Sequence, residues 1–301
     1  MAIYLGIDGG GTKTTCLVAD EHKLFGSATS AGSNITRWGE AHAREALETG
    51  VKEACTTAGV DAQQIDSTCV GLSGAGRPEV RQAVVRMMSE IVGGHVQVVS
   101  DLETTLEAAF HGGPGVITIA GTGSIAYGRD AQGRTARSGG WGLAISDEGS
   151  GQWIGRAAVS AVLGAKDGGE EPRLLSPILR TWNLTTLDEL VRRANASPAP
   201  DFSSLFPLVL EAGGHGDALA AGVLDRAGVE LSVVARNVIR RLFAAAGSVQ
   251  VAMSGGVFRQ SEQVRQVFYN SVVAEFPQAR VEAGVVEAVD GALALARKAR
   301  P

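Results

Sequence analysis

Ile3-Tyr4-Leu5-Gly6-Ile7-Asp8-Gly9-Gly10-Gly11-Thr12-Lys13-Thr14-Thr15-Cys16-Leu17-Val18 opens the chain with an apolar run, a carboxylate, three glycines, a hydroxyl- and lysine-bearing tail and a second apolar run. That order reads as strand, phosphate-sized turn, strand. Glycines 9 to 11 remove the side chains that would keep an anion away from backbone N–H groups, and Thr12, Lys13 and Thr14 add donors and a charge. Asp8, at the end of the first strand, is placed to hold Mg²⁺ through water. A plain hairpin turn is the simpler reading of a glycine triplet alone, but the flanking Asp and the Thr-Lys-Thr tail favour a polyphosphate seat. A Walker A loop is rejected, because Thr12 intervenes before Lys13-Thr14 and a β-like run follows where a helix is required.

Composition sets the bounds around this turn. With 301 residues, 45% hydrophobic and 20% charged, the chain is long enough for two globular domains. The formal charge of −5 carries no block of one sign, so neither nucleic acid nor an anionic membrane surface is an expected partner. No run approaches the ~20 apolar residues of a membrane-spanning helix, and no export signal opens the chain. Cys16, Cys55 and Cys69 lie in apolar runs without C-x-x-C spacing and read as buried thiols, which suits a reducing cytoplasm.

Strands are expected at 23–30, 68–72 and 96–99, with helices from Trp38 to Ala58, Pro78 to Val92 and about Leu102 to Phe110. The pattern then restarts. Val116 to Ala120, the turn Gly121-Thr122-Gly123-Ser124 and Ile125 to Gly128 repeat strand, glycine-hydroxyl turn, strand. A third strand after Gln132-Gly133, a helix from Gly151, further helices through Ala246, a strand at 249–253 and one near Val281 complete the second half. The expected fold is α/β: two duplicated halves with mixed sheets flanked by helices. The expected domains are 1–117 and 118–286, and the final helix, about 287–301, crosses back onto the first. Such a duplication brings the two turns to face one another across an interdomain cleft.

Three further segments could carry chemistry. Met253-Ser254-Gly255-Gly256-Val257 follows an expected strand and precedes a helix near Ser261, where backbone can lie flat against a nucleoside, although an ordinary strand-to-helix turn has the same appearance. Asp101 ends a buried-type strand, and two roles stay open: cap of the next helix, or a base that takes a proton from a substrate hydroxyl. Gly139-Gly140-Trp141-Gly142-Leu143-Ala144-Ile145-Ser146-Asp147-Glu148 sets a tryptophan and an acidic pair among small residues. Sugars are bound by one planar apolar face plus carboxylates that accept from hydroxyls, and this run supplies both; the acids could equally serve the positive end of the helix that follows. Gly71-Leu72-Ser73-Gly74-Ala75 approaches a nucleophile elbow, but its last position is Ala and no His suggests a triad partner. None of the five histidines has zinc-type spacing. Arg77, Arg129 and Arg137 lie near glycine-rich loops within reach of a phosphate or of solvent.

Taken together, LGIDGGGTKT, GSN at 32–34, SD at 100–101, TIAGTGSIAYG from 118, GGWGLAISDEGSG from 139 and MSGGV from 253 resemble the BadF/BadG/BcrA/BcrD ATPase family of the actin, hexokinase and Hsp70 superfamily. Within it the N-acetylglucosamine kinases are the most similar group. The resemblance implies two RNase H-like lobes closing on MgATP, with Asp8 serving the metal, Asp101 as base, and Thr12 or Thr14 at the phosphates. It also implies nucleotide contacts from Gly9, Gly10, Gly11, Lys13, Gly121, Thr122, Gly123 and Ser124, with Ser254, Gly255 and Gly256 on the adenosine side. Asn34, Gly140, Trp141 and Asp147 then look like sugar contacts, and Thr122 reaches the phosphate or the reacting hydroxyl. An adenine-side segment that relatives place after a helix is similar to Glu211 to Asp217, which includes Gly213. The activity implied is transfer of the γ-phosphate of ATP to the 6-hydroxyl of N-acetylglucosamine. Glucosamine and N-acetylmuramic acid remain alternative acceptors, and relatives of this group are often homodimers. Radical dehydratase activators of the same family drive a partner protein through an iron–sulfur cluster, but here no cysteine follows Cys69. A nucleotide-dependent sugar sensor could dispense with Asp101, which this chain keeps.

Overall fold

The computed structural model describes residues 2–243 and 248–299. In chain order the elements are β1 (Tyr4–Gly9), β2 (Lys13–Ala19), β3 (Leu24–Ala31), α1 (Ile35–Trp38), α2 (Glu40–Ala58), β4 (Ser67–Leu72), α3 (Pro78–Ile91), β5 (His95–Ser100) and α4 (Asp101–Phe110). They continue as β6 (Gly115–Ala120), β7 (Ser124–Arg129), β8 (Thr135–Gly139), α5 (Gly151–Asp167), α6 (Leu175–Thr181), α7 (Leu187–Ala194), α8 (Phe206–Gly214) and α9 (Ala218–Phe243). The last are β9 (Val249–Ser254), α10 (Gly256–Gln260), α11 (Glu262–Glu275), β10 (Ala279–Val286) and a C-terminal helix, Ala288–Lys298. The ends expected at Ala246 and at 301 lie outside the described residues; the final helix itself stops at Lys298, with Ala299 as its cap.

The duplication is exact in order. One five-stranded sheet runs β3-β2-β1-β4-β5 and the other β10-β9-β6-β7-β8, so β1 and β6 are the central strands of equivalent meanders. In each sheet the central strand pairs antiparallel with the hairpin partner that follows it and parallel with a later strand, β4 or β9. The chain divides into Met1–Gly113 with Val286–Pro301, and Pro114–Val285. The expected boundary at 117/118 would cut β6, whose whole length belongs to the second unit.

In the first unit, α2 and α3 cover one face of the sheet, burying Leu47, Val51, Val84, Met87 and Met88 against Leu5, Ile7, Val18 and Val70. The C-terminal helix covers the other face, setting Val289 and Leu293 on Leu17 and Ala19, and Ala292 and Ala296 on Cys69 and Val99. Gly6 permits this approach, since a Cβ there would stand 2.5 Å from the Leu293 backbone nitrogen. The single helix expected from Trp38 is broken at Gly39, whose φ of 83° ends α1 before α2 begins. In the second unit α5, α8 and α9 pack Ile154, Val162, Val209, Leu231 and Val238 into one core with Val116, Val251, Phe258 and Phe268. All three cysteines are free and buried, and burial pushes Cys16 and Cys69 up to about 12, which leaves them inert thiols. Among the described residues no helix is long and apolar enough to cross a membrane.

Thr104 of α4 is held between two glycines. A Cβ on Gly71 of β4 would stand 2.5 Å from Thr104 Oγ1, and one on Gly291 of the C-terminal helix would run into the Thr104 carbonyl. Lys298 Nζ, 2.6 Å from Glu107 Oε1, ties the same two helices. The Gly291→Ala variant therefore forces the C-terminal helix off α4. It should lose about 1–3 kcal/mol in chemical denaturation. Gly284→Ala, at a position with nothing within 4 Å of an added Cβ, should stay near wild type; equal midpoints for the two variants would contradict this packing.

Candidate functional site

In the first unit the parallel strands β1, β4 and β5 end along one sheet edge, and their register aligns the ends: Gly9 with Leu72, and Leu72 with Ser100. Ligands of open α/β sheets bind outside the carboxyl ends of such strands. Just past these positions lie the Gly9–Gly11 turn, Ser73 and Asp101. Asp8 pairs in register with Thr15 and Gly71, at the mouth of the turn.

The turn is tied back on itself and to the loop after β3. The Gly10 N–H donates to the Lys13 carbonyl at 2.9 Å, and the Ser33 and Asn34 N–H groups donate to the Gly10 carbonyl at 3.1 and 3.2 Å. Gly32 is required there, because a Cβ would stand 2.7 Å from the Gly11 carbonyl oxygen. Trp38 lies across the turn and donates its indole N–H to the Gly11 carbonyl at 2.8 Å. Thr12 and Lys13 are exposed at the tip. Thr14 departs from the expected phosphate role: it is 0% exposed, and its hydroxyl lies 2.8 Å from both the Ala31 carbonyl and Ser33 Oγ. Its place on a central β-hairpin strand turns it inward, so it staples the loop. Of Thr12 and Thr14, only Thr12 presents its side chain at the surface. Asn34, expected as a sugar contact, also caps α1, its side-chain oxygen accepting from the Arg37 N–H at 3.1 Å.

Asp101 is not the cap of α4. Ser100 is, in a capping box where its hydroxyl accepts from the Glu103 N–H and the Glu103 carboxylate accepts from the Ser100 N–H at 2.9 Å. Asp101 is left at the first helical position. Burial raises its pKa above the ordinary carboxylate range, and hydrogen bonds from the Leu102 N–H, the Ser73 side chain and its own N–H pull the other way. A desolvated carboxylate held at a helix N-terminus is a stronger base than one in water.

In the second unit the turn Gly121–Ser124 lies where β6 ends, beside the end of β9, since Ile119 is in register with Ser254. Gly255, with φ of 98°, lies flat against this strand: a Cβ there would collide with the Ala120 carbonyl. The helix expected near Ser261 is α11, which the Ser261 hydroxyl caps, and the short helix α10 begins ahead of it at Gly256, directly after its cap Gly255. The Gly151 N–H, at the start of α5, donates to the Gly121 carbonyl at 2.8 Å, and the Ser124 hydroxyl donates to the Glu148 carbonyl at 2.7 Å. Ser124 is therefore structural through its side chain, while Thr122 and Gly123 remain partly exposed. Gly213 is not brought to these turns by any contact described: it lies in the last turn of α8, packed on Leu224 of α9, where an expected loop segment is helix.

Asp147 stands against this turn. A Cβ on Gly123 would lie 2.7 Å from Asp147 Oδ2. Asp147 is 6% exposed with φ of 67°, and its Oδ1 is buried without a hydrogen-bond partner. The helix that follows is capped by Ser150, so Asp147 does not serve it. Burial raises its pKa, the Gly142 N–H lowers it, and Glu148 raises it further. A left-handed backbone and an unsatisfied buried carboxylate oxygen are costs that mark a ligand site. Gly140 has φ of 68°, and a Cβ there would meet Ile125. Trp141 is 65% exposed, with the Arg137 guanidinium stacked 3.9 Å from its ring centroid.

Among the described residues no three metal-ligating side chains converge. Asp8, in register beside the first turn, offers the single carboxylate that a hydrated Mg²⁺ would take together with phosphate oxygens. Ser33, Ser73 and Trp38 escaped sequence reasoning. The GSN loop and the near-elbow after β4 carried the signal for the two serines.

Two meanders of one strand order, each with a glycine-hydroxyl turn after its central strand, define a duplicated fold of the actin-like ATPase type. A family model for the BadF/BadG/BcrA/BcrD ATPase family matches residues 5–295, and the chain belongs to that family. It is 30% identical to an N-acetylmuramic acid/N-acetylglucosamine kinase of Clostridium acetobutylicum, over 99% of both chains. It is 29% identical to an N-acetyl-D-glucosamine kinase of Dictyostelium discoideum, over 93% of this chain and 92% of that one. A crystal structure from Chromobacterium violaceum, provisionally named an N-acetylglucosamine kinase, superposes with a TM-score of 0.76 at 28% identity, over 98% of this chain and 99% of the other.

The raised pKa of Asp147 has a stability consequence with a fixed sign. The folded form binds the proton more tightly than the unfolded chain, so stability falls as pH rises from the ordinary value of 3.8 through the folded value. Asp147→Asn, which tolerates the same backbone, should raise the Tm of the ligand-free protein at pH 7 by about 2–4 °C. The difference should close below about pH 4. An Asn variant less stable than wild type at pH 7 would show that the carboxylate is satisfied.

Proposed function

We propose that this chain is an ATP-dependent sugar kinase that transfers the γ-phosphoryl group of MgATP to the 6-hydroxyl of N-acetylglucosamine in the cytoplasm, with glucosamine or N-acetylmuramic acid as the neighbouring acceptors. The observation that carries this reading is the Asp101 carboxyl group: desolvated, set at the first turn of α4, and one position beyond the strand end in register with Leu72. The strand spacing puts it about 10 Å across the sheet from Asp8, which leaves room for a transferring phosphoryl group. The activity carried by the relatives' names points the same way.

In this mechanism the ionised Asp101 takes the proton of the 6-hydroxyl as that oxygen attacks the γ-phosphorus. The Leu102 N–H and the helix N-terminus favour the charged form of Asp101 against the burial that raises its pKa. The Gly10 and Gly121 N–H groups are engaged within their own turns, so the phosphate oxygens are bound at the first turn by Gly11, Thr12 and Lys13 and at the second by Thr122 and Gly123. Asp8 would hold Mg²⁺ through water, and the ion would supply neutralisation of the phosphate charge. Asp147 accepts hydrogen bonds from sugar hydroxyls through its unsatisfied oxygen, Trp141 offers its free face, and Asn34 donates through its amide. The choice among N-substituents rests on one pocket wall, a difference of about 1–3 kcal/mol.

ATP consumption measured with each of the three amino sugars and with none tests this directly. Turnover should require sugar, and Asp101→Asn should lower kcat about 10²–10⁴-fold, with ATP affinity within about twofold because a base contributes to the transition state and not to ground-state binding. Sugar-independent hydrolysis would favour an ATPase that drives a partner, and unchanged kcat in the variant would remove Asp101 as the base.

A further inference from the structure

The segment Gly71-Leu72-Ser73-Gly74-Ala75 looks like a nucleophile elbow and has no part in the transfer as described so far. Its position gives it one. In register, Leu72 lies between Gly9 of β1 and Ser100 of β5, so Ser73 follows between the first glycine turn and Asp101. Two bonds span that gap. The Ser73 N–H donates to the Gly9 carbonyl at 3.1 Å, and its side chain hydrogen-bonds the Asp101 carboxylate. Gly74, with φ of 92°, and the Ala75 N–H, which donates to the Leu72 carbonyl at 3.1 Å, fold the chain back directly after it.

We propose that Ser73 is a positioning residue for phosphoryl transfer, coupling the first phosphate turn to the base by holding the Asp101 carboxylate in one orientation with its hydroxyl. This rests on the reading of Asp101 as base. A carboxylate on a helix start has free rotation about two bonds, and a donor anchored to the neighbouring strand removes it. Misplacement of a reacting group by about 1 Å costs on the order of 10²-fold in rate. The same hydrogen bond favours the charged form of a group that burial pushes toward neutrality.

The charged groups and the histidine on the elements packed against α4 are Asp8 on β1, His95 on β5, and Asp290, Arg297 and Lys298 on the C-terminal helix, with Glu103 and Glu107 on α4 itself and Arg81 of α3 reaching Glu103. Arg81 pairs with Glu103 at 3.9 Å and Lys298 with Glu107 at 2.6 Å. The shift of Asp101 itself comes from burial and hydrogen bonds alone. Among the described residues, Ser73 is the side chain that opposes burial there.

The test is steady-state kinetics of Ser73→Ala, Ser73→Thr and Asp101→Asn across pH 5–9, with ATP binding measured on each. For Ser73→Ala, kcat at pH 7 should fall about 10–100-fold, KM for sugar and ATP should stay within about threefold because the hydroxyl acts after binding, and the acidic limb of kcat should move up by about one unit. Ser73→Thr should restore the wild-type limb. Should the alanine variant fail to fold, Ser73→Cys, a similar size with a weak donor, must show the same displaced limb. An inactive Asp101→Asn together with a Ser73→Ala variant of wild-type kcat and pH profile would overturn this inference alone. An active Asp101→Asn would overturn the base reading and this inference with it.

Discussion

A carboxyl group taken out of water at the start of a helix is the constraint on which the first unit is built. Burial disfavours the charge of Asp101, so the surrounding structure must supply donors and hold them still. The donors come from two elements, α4 itself and the turn after β4, and the second of these is tied to the first glycine turn by the Ser73 N–H, which donates to the Gly9 carbonyl. Their fixity comes from packing behind them. Thr104, one turn along from Asp101, donates its hydroxyl to the Asp101 carbonyl at 3.0 Å while it is wedged between Gly71 and Gly291. The C-terminal helix, far away in sequence, thus fixes the place of Asp101 through Thr104.

The second unit meets a related constraint by a different route. Asp147 is buried in a left-handed backbone conformation, with one oxygen unsatisfied and the other against Gly123. Here the glycine turn and the carboxylate loop define each other, because any side chain at position 123 would displace the acid. Glycine is used in both units for the same reason, close approach: Gly32 against Gly11, Gly255 against Ala120, Gly71 against Thr104. The result is two sets of backbone donors beside two desolvated acids. Folding alone would be served better without those acids, and that cost is what motivates the roles proposed for them.

Much of this was legible in the sequence, and what was not has a common cause. The strands and their duplication follow from apolar runs broken by glycine-hydroxyl turns, and both turns lie at the ends of the strands expected to precede them. Asp101 and Asp147 stood out as acids at unusual places. Which hydroxyl points outward was not legible: Thr14 turns inward because its partners, Ala31 and Ser33, arrive from another strand and loop. The two roles left open for Asp101, cap or base, are separated by Ser100-x-x-Glu103, which spells a capping box and takes the cap away from the acid. Gly39 read as part of a helix because its positive φ is a backbone property that composition does not print. Ser73 resembled a nucleophile, and only the register of three parallel strands showed that its neighbour is a carboxylate.

The central claim is that Asp101 deprotonates the acceptor alcohol for a single direct displacement at phosphorus, with Ser73 supporting it and never carrying the phosphoryl group. The stereochemical course of transfer from ATP whose γ-phosphorus is made chiral with oxygen isotopes tests this most directly. One in-line displacement predicts inversion at phosphorus in the sugar phosphate. Retention would require a phosphorylated enzyme intermediate and would contradict the account.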